Sequence, residues 1–540
     1  MIGFFDGINY RQFNSLSDFF DVVLRYSYRG NWIFSHFGGK YDHSFFLDEL
    51  NRRKITYSLI QTGPKVLCIK VKLGKNNINF VDSSGILNSS LAKLCDSFNT
   101  KTKKLTGSID FEGGERVCKN NPIHQKYLEH DCRSLFEVIS KYYMDEKINE
   151  SGMKISAASQ SMDIFRRMMK GSIKVTTQEQ QDFVREGYYG GRTEVFKIEG
   201  HGLNSYDANS LYPYSLLKPM PTEFIRNTTD YSRFGFFDVT VKSPDMYIPI
   251  LPFRYQKKLL FPNGTFRGVF FSEEIKLAEI HGYKILECHR GMEFEKHTTL
   301  FHDFINYFYA QRKKFPSGSA GNYIAKERLN TLYGKFGESE MRESLKVFTG
   351  DEKNYSIFHS MELHEKTGLI VVTKKKRSAY MLAHIAAACT SWGRIHMNSF
   401  YQPYAEKLYY TDTDCVKGKL ELNCGTELGD MKLEKNNYYG YYRAPKMYYE
   451  ENEGKTEKHV KGFPKDFVND LTLDHFKGTD LFYSKKKFAT LRTSLIRNGE
   501  FLSMVDNKKA TKTGYTKRRI MPHGETEPWV INEGTIENGI

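Results

Sequence analysis

The stretch LYYTDTDCV, residues 408–416, places two acids one residue apart inside an apolar, aromatic run. Extended backbone points residues i and i+2 to one face, so this reading predicts Asp412 and Asp414 side by side on a strand. Two carboxylates that close repel each other unless a cation or water lies between them. The spacing predicts a site for divalent cations.

Working outward, SYDANSLYPYSLLKPMP (205–221) carries Asp207 after a tyrosine, followed by Asn209, Ser210, Leu211, Tyr212 and Pro213. A strand that delivers one carboxylate and then turns sharply suits a third metal ligand. Three carboxylates can hold two Mg²⁺ ions about 3.5–4 Å apart, the geometry of in-line phosphoryl displacement, and Mn²⁺ can substitute. Between the two acidic stretches lies KERLNTLYGKFG (326–337). Lys326, Asn330 and Tyr333 fall at i, i+4 and i+7 on one helical face, a cation, an amide and a phenol suited to a triphosphate and a base. Taken singly, the first segment reads equally as a turn with a capping Asp, and the second as a solvated helix face.

Composition narrows the class. A 540-residue chain with 40% hydrophobic residues is long enough for several domains around a large core. No apolar stretch approaches 18 residues and MIGFFDGINYRQ lacks the pattern of a leader, which argues against a membrane span and a secretory signal. Eight cysteines without a CxxC argue against a zinc module or a disulfide framework and for a reducing, intracellular compartment, host cytoplasm or organelle. Lys plus Arg exceed Asp plus Glu by 79 to 64, a net +15 that points to a polyanionic partner.

Along the chain, NWIFSHF (31–37) and KVLCIKVKL (65–73) have strand character in an α/β region to about residue 150. A polar stretch follows, taken as a linker over 151–185. REGYYGGRTEVF (185–196) opens a second region, its tandem glycines marking a close backbone approach. Residues 301–335 read as two antiparallel helices broken at FPSGSAG, and 341–375 as a hairpin insertion with one apolar strand, GLIVVT. A helix with small residues, AYMLAHIAAACTSWGRIHM (379–397), follows, and the last 75 or so residues read as basic and irregular.

DxxSLYP, KxxxNxxYG and YxDTD, in that order, resemble motifs A, B and C of family B DNA polymerases. Tyr188-Tyr189-Gly190-Gly191 resembles the YxGG motif of the protein-primed branch, found in phages, adenoviruses and linear plasmids, and Lys446-Met447-Tyr448 its primer-holding KxY motif. The resemblance implies an α/β multidomain fold: a ribonuclease H-like exonuclease domain (1–150), then a right-hand polymerase. Its parts would be palm with the first terminal-protein region (186–300), fingers (301–340), second terminal-protein region (341–375), palm (376–445), and thumb with the C-terminal region (446–540). It implies Asp207 and Asp414 as direct metal ligands, aided by Asp412 and the Ala208 carbonyl. Ser210, Leu211, Tyr212, Arg312, Lys326, Asn330 and Tyr333 would bind the dNTP, with Tyr212 excluding a 2′-hydroxyl. Tyr188, Gly190, Gly191, Thr413, Lys446 and Tyr448 would hold DNA or primer. Partners would be template-primer DNA, dNTPs and a separate terminal protein priming a linear viral or plasmid genome, with the enzyme a monomer. Two departures, Cys415 and Thr331 where serines are usual, imply tuning rather than loss.

The N-terminal region resembles the family's 3′–5′ exonuclease, with Tyr41 and Asp42 in the second motif and Tyr127 and Asp131 in the third. Ser90 and Leu91 resemble its single-strand contact. A DxE pair belonging before Asp42 is missing: Asp6 lacks its glutamate, and DFE at 110–112 follows the second motif. Phe37 stands where an asparagine is usual. These departures predict an inactive exonuclease, either because Met1 is not the natural start or because proofreading has decayed. Two rivals remain: an RNA-templated polymerase, whose motif is typically YxDD, and a non-catalytic nucleic-acid-binding remnant.

Overall fold

In the computed structural model, residues 1–62, 65–105, 118, 120–347, 360–364, 369–375, 381–478, 480–498, 500–501, 503–511, 514–532 and 535–536 are described. The DFE at 110–112 lies outside them. The N-terminal region is a four-stranded sheet in the order Trp32–Ser35, Asn76–Asp82, Lys65–Leu73, Tyr57–Thr62. Its first pair is parallel and the others antiparallel. VLCIKV runs through its middle almost wholly buried, so it shows a continuous apolar run rather than alternation. Phe19, Phe20, Leu47, Leu50 and Phe80 close the core on one side, and Leu491, Leu495 and Phe501 from far along the chain complete it.

The presumed linker 151–185 is helical instead. Ala157–Met168 starts on a Ser156 cap and Gln178–Glu186 on a Thr177/Gln180 capping box. The stretch is polar in composition, but Met162, Ile164, Phe165, Phe183 and Val184 all enter the central core. Helical spacing, not average polarity, decides burial.

Two large sheets build the second region. One has seven strands in the order Lys455–Val460, Met447–Asn452, Met431–Ala444, Glu199–Ala208, Cys415–Gly418, Leu408–Asp412, Thr193–Val195. The sheet runs to Val460, so the predicted boundary at 445 is displaced: Met447–Asn452 and Lys455–Val460 pair onward from Met431–Ala444. The other sheet has six strands, and its edge is made by Val530–Asn532 and Thr535–Ile536 from the C-terminal segment. The tail read as irregular is therefore tied into a sheet, and a hairpin, Phe482–Phe488 with Met504–Ala510, precedes it.

Helices His302–Lys314 and Ala320–Phe336 form the predicted antiparallel pair. Helix Ala383–Tyr401 buries its alanines against the six-stranded sheet and the short helix Leu211–Leu216. In the insertion, Leu369–Lys375 pairs with Met341–Val347 on one side and Ser360–His364 on the other. It is thus three-stranded rather than a simple hairpin, while residues 348–359 and 365–368 fall outside the described set.

Candidate active site

The central strand Glu199–Ala208 places Asp207 opposite Cys415 on one side and Lys432 on the other. The next backbone N–H, of Ala208, donates to the Asp414 carbonyl at 2.8 Å. One antiparallel pairing thus brings together acids about two hundred positions apart. The chain then turns: Ser210 takes φ 53, and helix Leu211–Leu216 begins at once.

The paired acids are arranged differently from the strand-face prediction. Leu408–Asp412 ends at Asp412, which pairs with Cys415, so Thr413 and Asp414 form the two-residue turn of a hairpin. Thr413 has φ 67, and its N–H donates to the Arg192 carbonyl at 2.7 Å. Alternation holds only within a strand, so Asp412 and Asp414 take separate environments. Lys446 Nζ donates to both Asp412 oxygens at 2.7 and 2.8 Å, and Thr193 adds a hydrogen bond at 3.3 Å. Among the described residues, no group of three or more His, Cys, Asp or Glu is arranged to hold a metal. The predicted three-carboxylate cage is therefore a pair, Asp207 with Asp414, while Asp412 holds Lys446.

That pair is electrostatically unsatisfied. Burial, then the Asp414 charge, pushes the Asp207 carboxyl up to about 7. Burial raises Asp414 as well, the Asp412 charge adding to it and Lys446 opposing. Lys432 and Lys417 oppose the rise at Asp207 without cancelling it, and two adjacent half-buried carboxylates are the oxygen donors a hard divalent cation takes, so the residues fit such an ion. Beside them, burial pushes the Cys415 thiol up to about 12, which keeps it neutral and unreactive.

Aromatic rings floor the adjoining space. Tyr212 stacks on Tyr333 with centroids 4.5 Å apart, and the Tyr333 hydroxyl bonds that of Tyr188 at 2.6 Å. Arg312 donates to Ser210 Oγ at 2.7 Å, while Lys326 and Asn330 are exposed on their helix. Leu211 is buried under the turn. The two tandem glycines differ in role. A Cβ on Gly191 would lie 2.7 Å from the Thr413 methyl, whereas one on Gly190 would meet nothing within 4 Å. Lys446 takes φ 60 and donates its N–H to the Tyr410 hydroxyl at 2.9 Å. Tyr448 lies against Tyr410 and stacks on His459, with Lys417 Nζ 4.4 Å from its ring.

Two supports escaped the sequence reading. Arg394 is buried and donates to the Tyr189 and Gly190 carbonyls and to Glu274, so it holds the tandem-glycine segment from behind. A lone arginine in an alanine-rich helix was the available signal. Lys517, from the C-terminal segment, donates to the Thr193 carbonyl beneath the hairpin at 3.0 Å, and nothing local marked it.

In the N-terminal region Asp42 and Asp131 line one cleft of about 710 Å³ together with Asp6, Phe4, Phe34 and Leu91. Burial, with the Asp82 charge, pushes Asp42 up to about 6. Lys104 grips Asp131 at 2.7 Å and donates to the Tyr127 hydroxyl at 2.8 Å. Ser90 caps helix Leu91–Ser97, which occupies its hydroxyl. Asp6 accepts from Ile8 and Asn9 N–H and from Tyr28, which makes it a turn residue. Phe37 has φ 59, a left-handed conformation in which asparagine is commoner than phenylalanine.

Residues 110–407 match a family described as DNA polymerase type B, organellar and viral. A probable DNA polymerase of Neurospora intermedia is 28% identical over 502 residues, covering 78% of this chain and 51% of its own. The DNA polymerase of Streptococcus phage Cp-1 is 25% identical over 476 residues, covering 80% and 79%. The chain spans about half the length of the fungal relatives it matches. Among solved structures, phi29 DNA polymerase complexed with primer-template DNA and incoming nucleotide superimposes with a TM-score of 0.75 at 19% identity, covering 93% of this chain and 94% of that one.

Proposed function

The chain belongs to the organellar and viral type B DNA polymerases, and on that premise we propose that it is a DNA-templated DNA polymerase working by metal-assisted nucleotidyl transfer. The observation that carries this reading is the pairing that sets Asp207 beside Asp414, where burial and neighbouring acids raise both carboxyls. Asp207 and Asp414 would hold Mg²⁺, which would supply a lowered pKa at a primer 3′-hydroxyl and offset charge on the phosphates. Arg312 and Lys326 bind the triphosphate. The Tyr212 ring lies under the sugar and excludes a 2′-hydroxyl, and Tyr333 packs on the nascent base pair. Lys446, held by Asp412, and Tyr448 position the primer strand.

Priming by a terminal protein on a linear viral or plasmid genome extends the same reading. Its support is the motif set Tyr188-Tyr189-Gly190-Gly191 and Lys446-Met447-Tyr448, the similarity to the phage polymerases, and the three-stranded insertion. A reducing compartment fits eight free cysteines, and in this reading the enzyme acts as a monomer. The N-terminal cleft would take a single-stranded 3′ end with little hydrolysis, since Asp131 is held by Lys104 and Asp6 closes a turn. The test is labelled-dNTP incorporation on primed DNA, with and without candidate terminal protein. Asp414→Asn should abolish incorporation while DNA binding persists, and unaltered incorporation would remove the metal assignment. Preference for an RNA template would overturn the DNA-templated reading.

A further inference from the structure

Helix Ala320–Phe336 carries the three residues assigned to the nucleotide, and at 100° per residue Lys326, Asn330 and Tyr333 share one side. Arg328 and Thr331 project from the opposite side. Arg328 is fully buried, a costly place for a guanidinium, and although its Nε finds no partner among the described residues, its two terminal nitrogens do. It donates to the Ala157 carbonyl at 2.9 Å, to Ser161 Oγ at 3.4 Å, to the Tyr142 hydroxyl at 2.7 Å and to its neighbour Glu327 at 3.1 Å. One helical turn on, Thr331 Oγ1 bonds Ser161 Oγ at 2.8 Å. This is where the Thr331 departure is used: its hydroxyl faces helix Ala157–Met168, not the nucleotide side.

The partners come from two different elements. Tyr142 ends helix Pro122–Tyr143 of the N-terminal region, and Ala157 and Ser161 begin the helix that enters the central core. Ile324 packs in the N-terminal region's cluster with Val138, Ile139 and Ile148, whereas Leu329, Leu332 and Phe336 pack in the central core. The nucleotide helix thus spans both bodies, and Arg328 is the polar fastening at the seam. Apolar contacts alone would let the helix slide, while a directional fork fixes its height and rotation.

We propose that Arg328 is a positioning residue, which locks the back of helix Ala320–Phe336 to the N-terminal body and so sets where Lys326, Asn330 and Tyr333 stand for an incoming nucleotide. This rests on the polymerase reading for its kinetic consequence, but not for its mechanical one. Burial pushes the Glu327 carboxyl up to about 7 against the opposing Arg328 charge and a Tyr323 hydrogen bond, so removing the arginine alone would leave a buried acid without its cation. The variant of choice is therefore the double Arg328→Met, Glu327→Gln, with Arg328→Lys as the conservative partner.

Steady-state kinetics on primed DNA, DNA affinity and amide hydrogen exchange are measured on the full chain. In the double variant, KM for dNTP should rise about ten-fold, while kcat and DNA affinity change less than about two-fold. Exchange should quicken across residues 320–336 but not across 383–401. Arg328→Lys should recover part of the KM. Wild-type KM and wild-type exchange in the double variant would overturn the proposal, as would a loss confined to the active fraction with KM unchanged. If the wild-type chain incorporates no dNTP, the polymerase reading fails, and the exchange comparison alone still decides the role of Arg328.

Discussion

Gly191→Ala tests how closely the tandem-glycine segment sets the Asp412–Cys415 hairpin. The added Cβ would lie 2.7 Å from the Thr413 methyl and 3.0 Å from both Thr413 Cβ and Oγ1. Carbon atoms settle about 3.5–4.0 Å apart, so roughly 1 Å must be found. Thr413 cannot rotate clear, because the crowded atoms are its Cβ and both branches. Nor can its backbone relax freely, with φ 67 and an N–H bonded to the Arg192 carbonyl. The displacement therefore passes to the turn, and Asp412 and Asp414 flank Thr413 directly. Misplacing reacting groups by about 1 Å costs on the order of 100-fold in rate. Steady-state incorporation should show kcat down by about that factor, with the thermal midpoint little changed. Gly190→Ala, whose Cβ meets nothing within 4 Å, is the control and should stay near wild type. Thr413→Gly in the Gly191→Ala background removes all three clashing atoms and should restore much of the lost rate. A Gly191→Ala enzyme at full speed, or a Gly190→Ala enzyme equally slowed, would refute the reasoning.

Tyr212→Val should raise ribonucleotide incorporation at least about ten-fold while deoxynucleotide use stays within a few-fold, read as a ratio of kcat/KM values; unchanged sugar selectivity would remove the gate. His384 is fully buried with neither ring nitrogen hydrogen-bonded, and burial holds its pKa down to about 3. The unfolded chain binds a proton there below about 6.5 and the native state does not, so this histidine's contribution to stability is flat above that pH. It falls by roughly 1.4 kcal/mol per pH unit between about 6.5 and 3. His384→Leu should flatten this acid limb and raise stability by about 1–3 kcal/mol, and an unchanged acid limb in denaturant titrations would contradict the assignment. With Mg²⁺ and a mismatched 3′ end, the chain should show little excision; brisk trimming would show the N-terminal cleft to be active.

The motifs were legible because each is local. SYDANSLYP reads as a strand ending in a sharp turn, KERLNTLYG as a helix face, and both formed as read because the local pattern agrees with the distant partners each later meets. The linker was misjudged for the converse reason: its apolar residues have helical spacing, but only the central core gives them something to bury against. Asp412 shows the same limit at one residue. Its strand ends two positions earlier than alternation requires, and the cation that claims it, Lys446, lies 34 positions further on. By itself, then, the sequence marked the candidate residues and the local form of most segments that carry them, the Asp412–Asp414 turn excepted. Tertiary structure alone decided which acids share a space, that Arg394 and Lys517 hold the segments beside them, that Arg328 ties helix Ala320–Phe336 to the N-terminal region, and that the tail joins a sheet. Backbone preference acts over a few residues, whereas charge pairing and burial act between surfaces that exist only once the chain has folded.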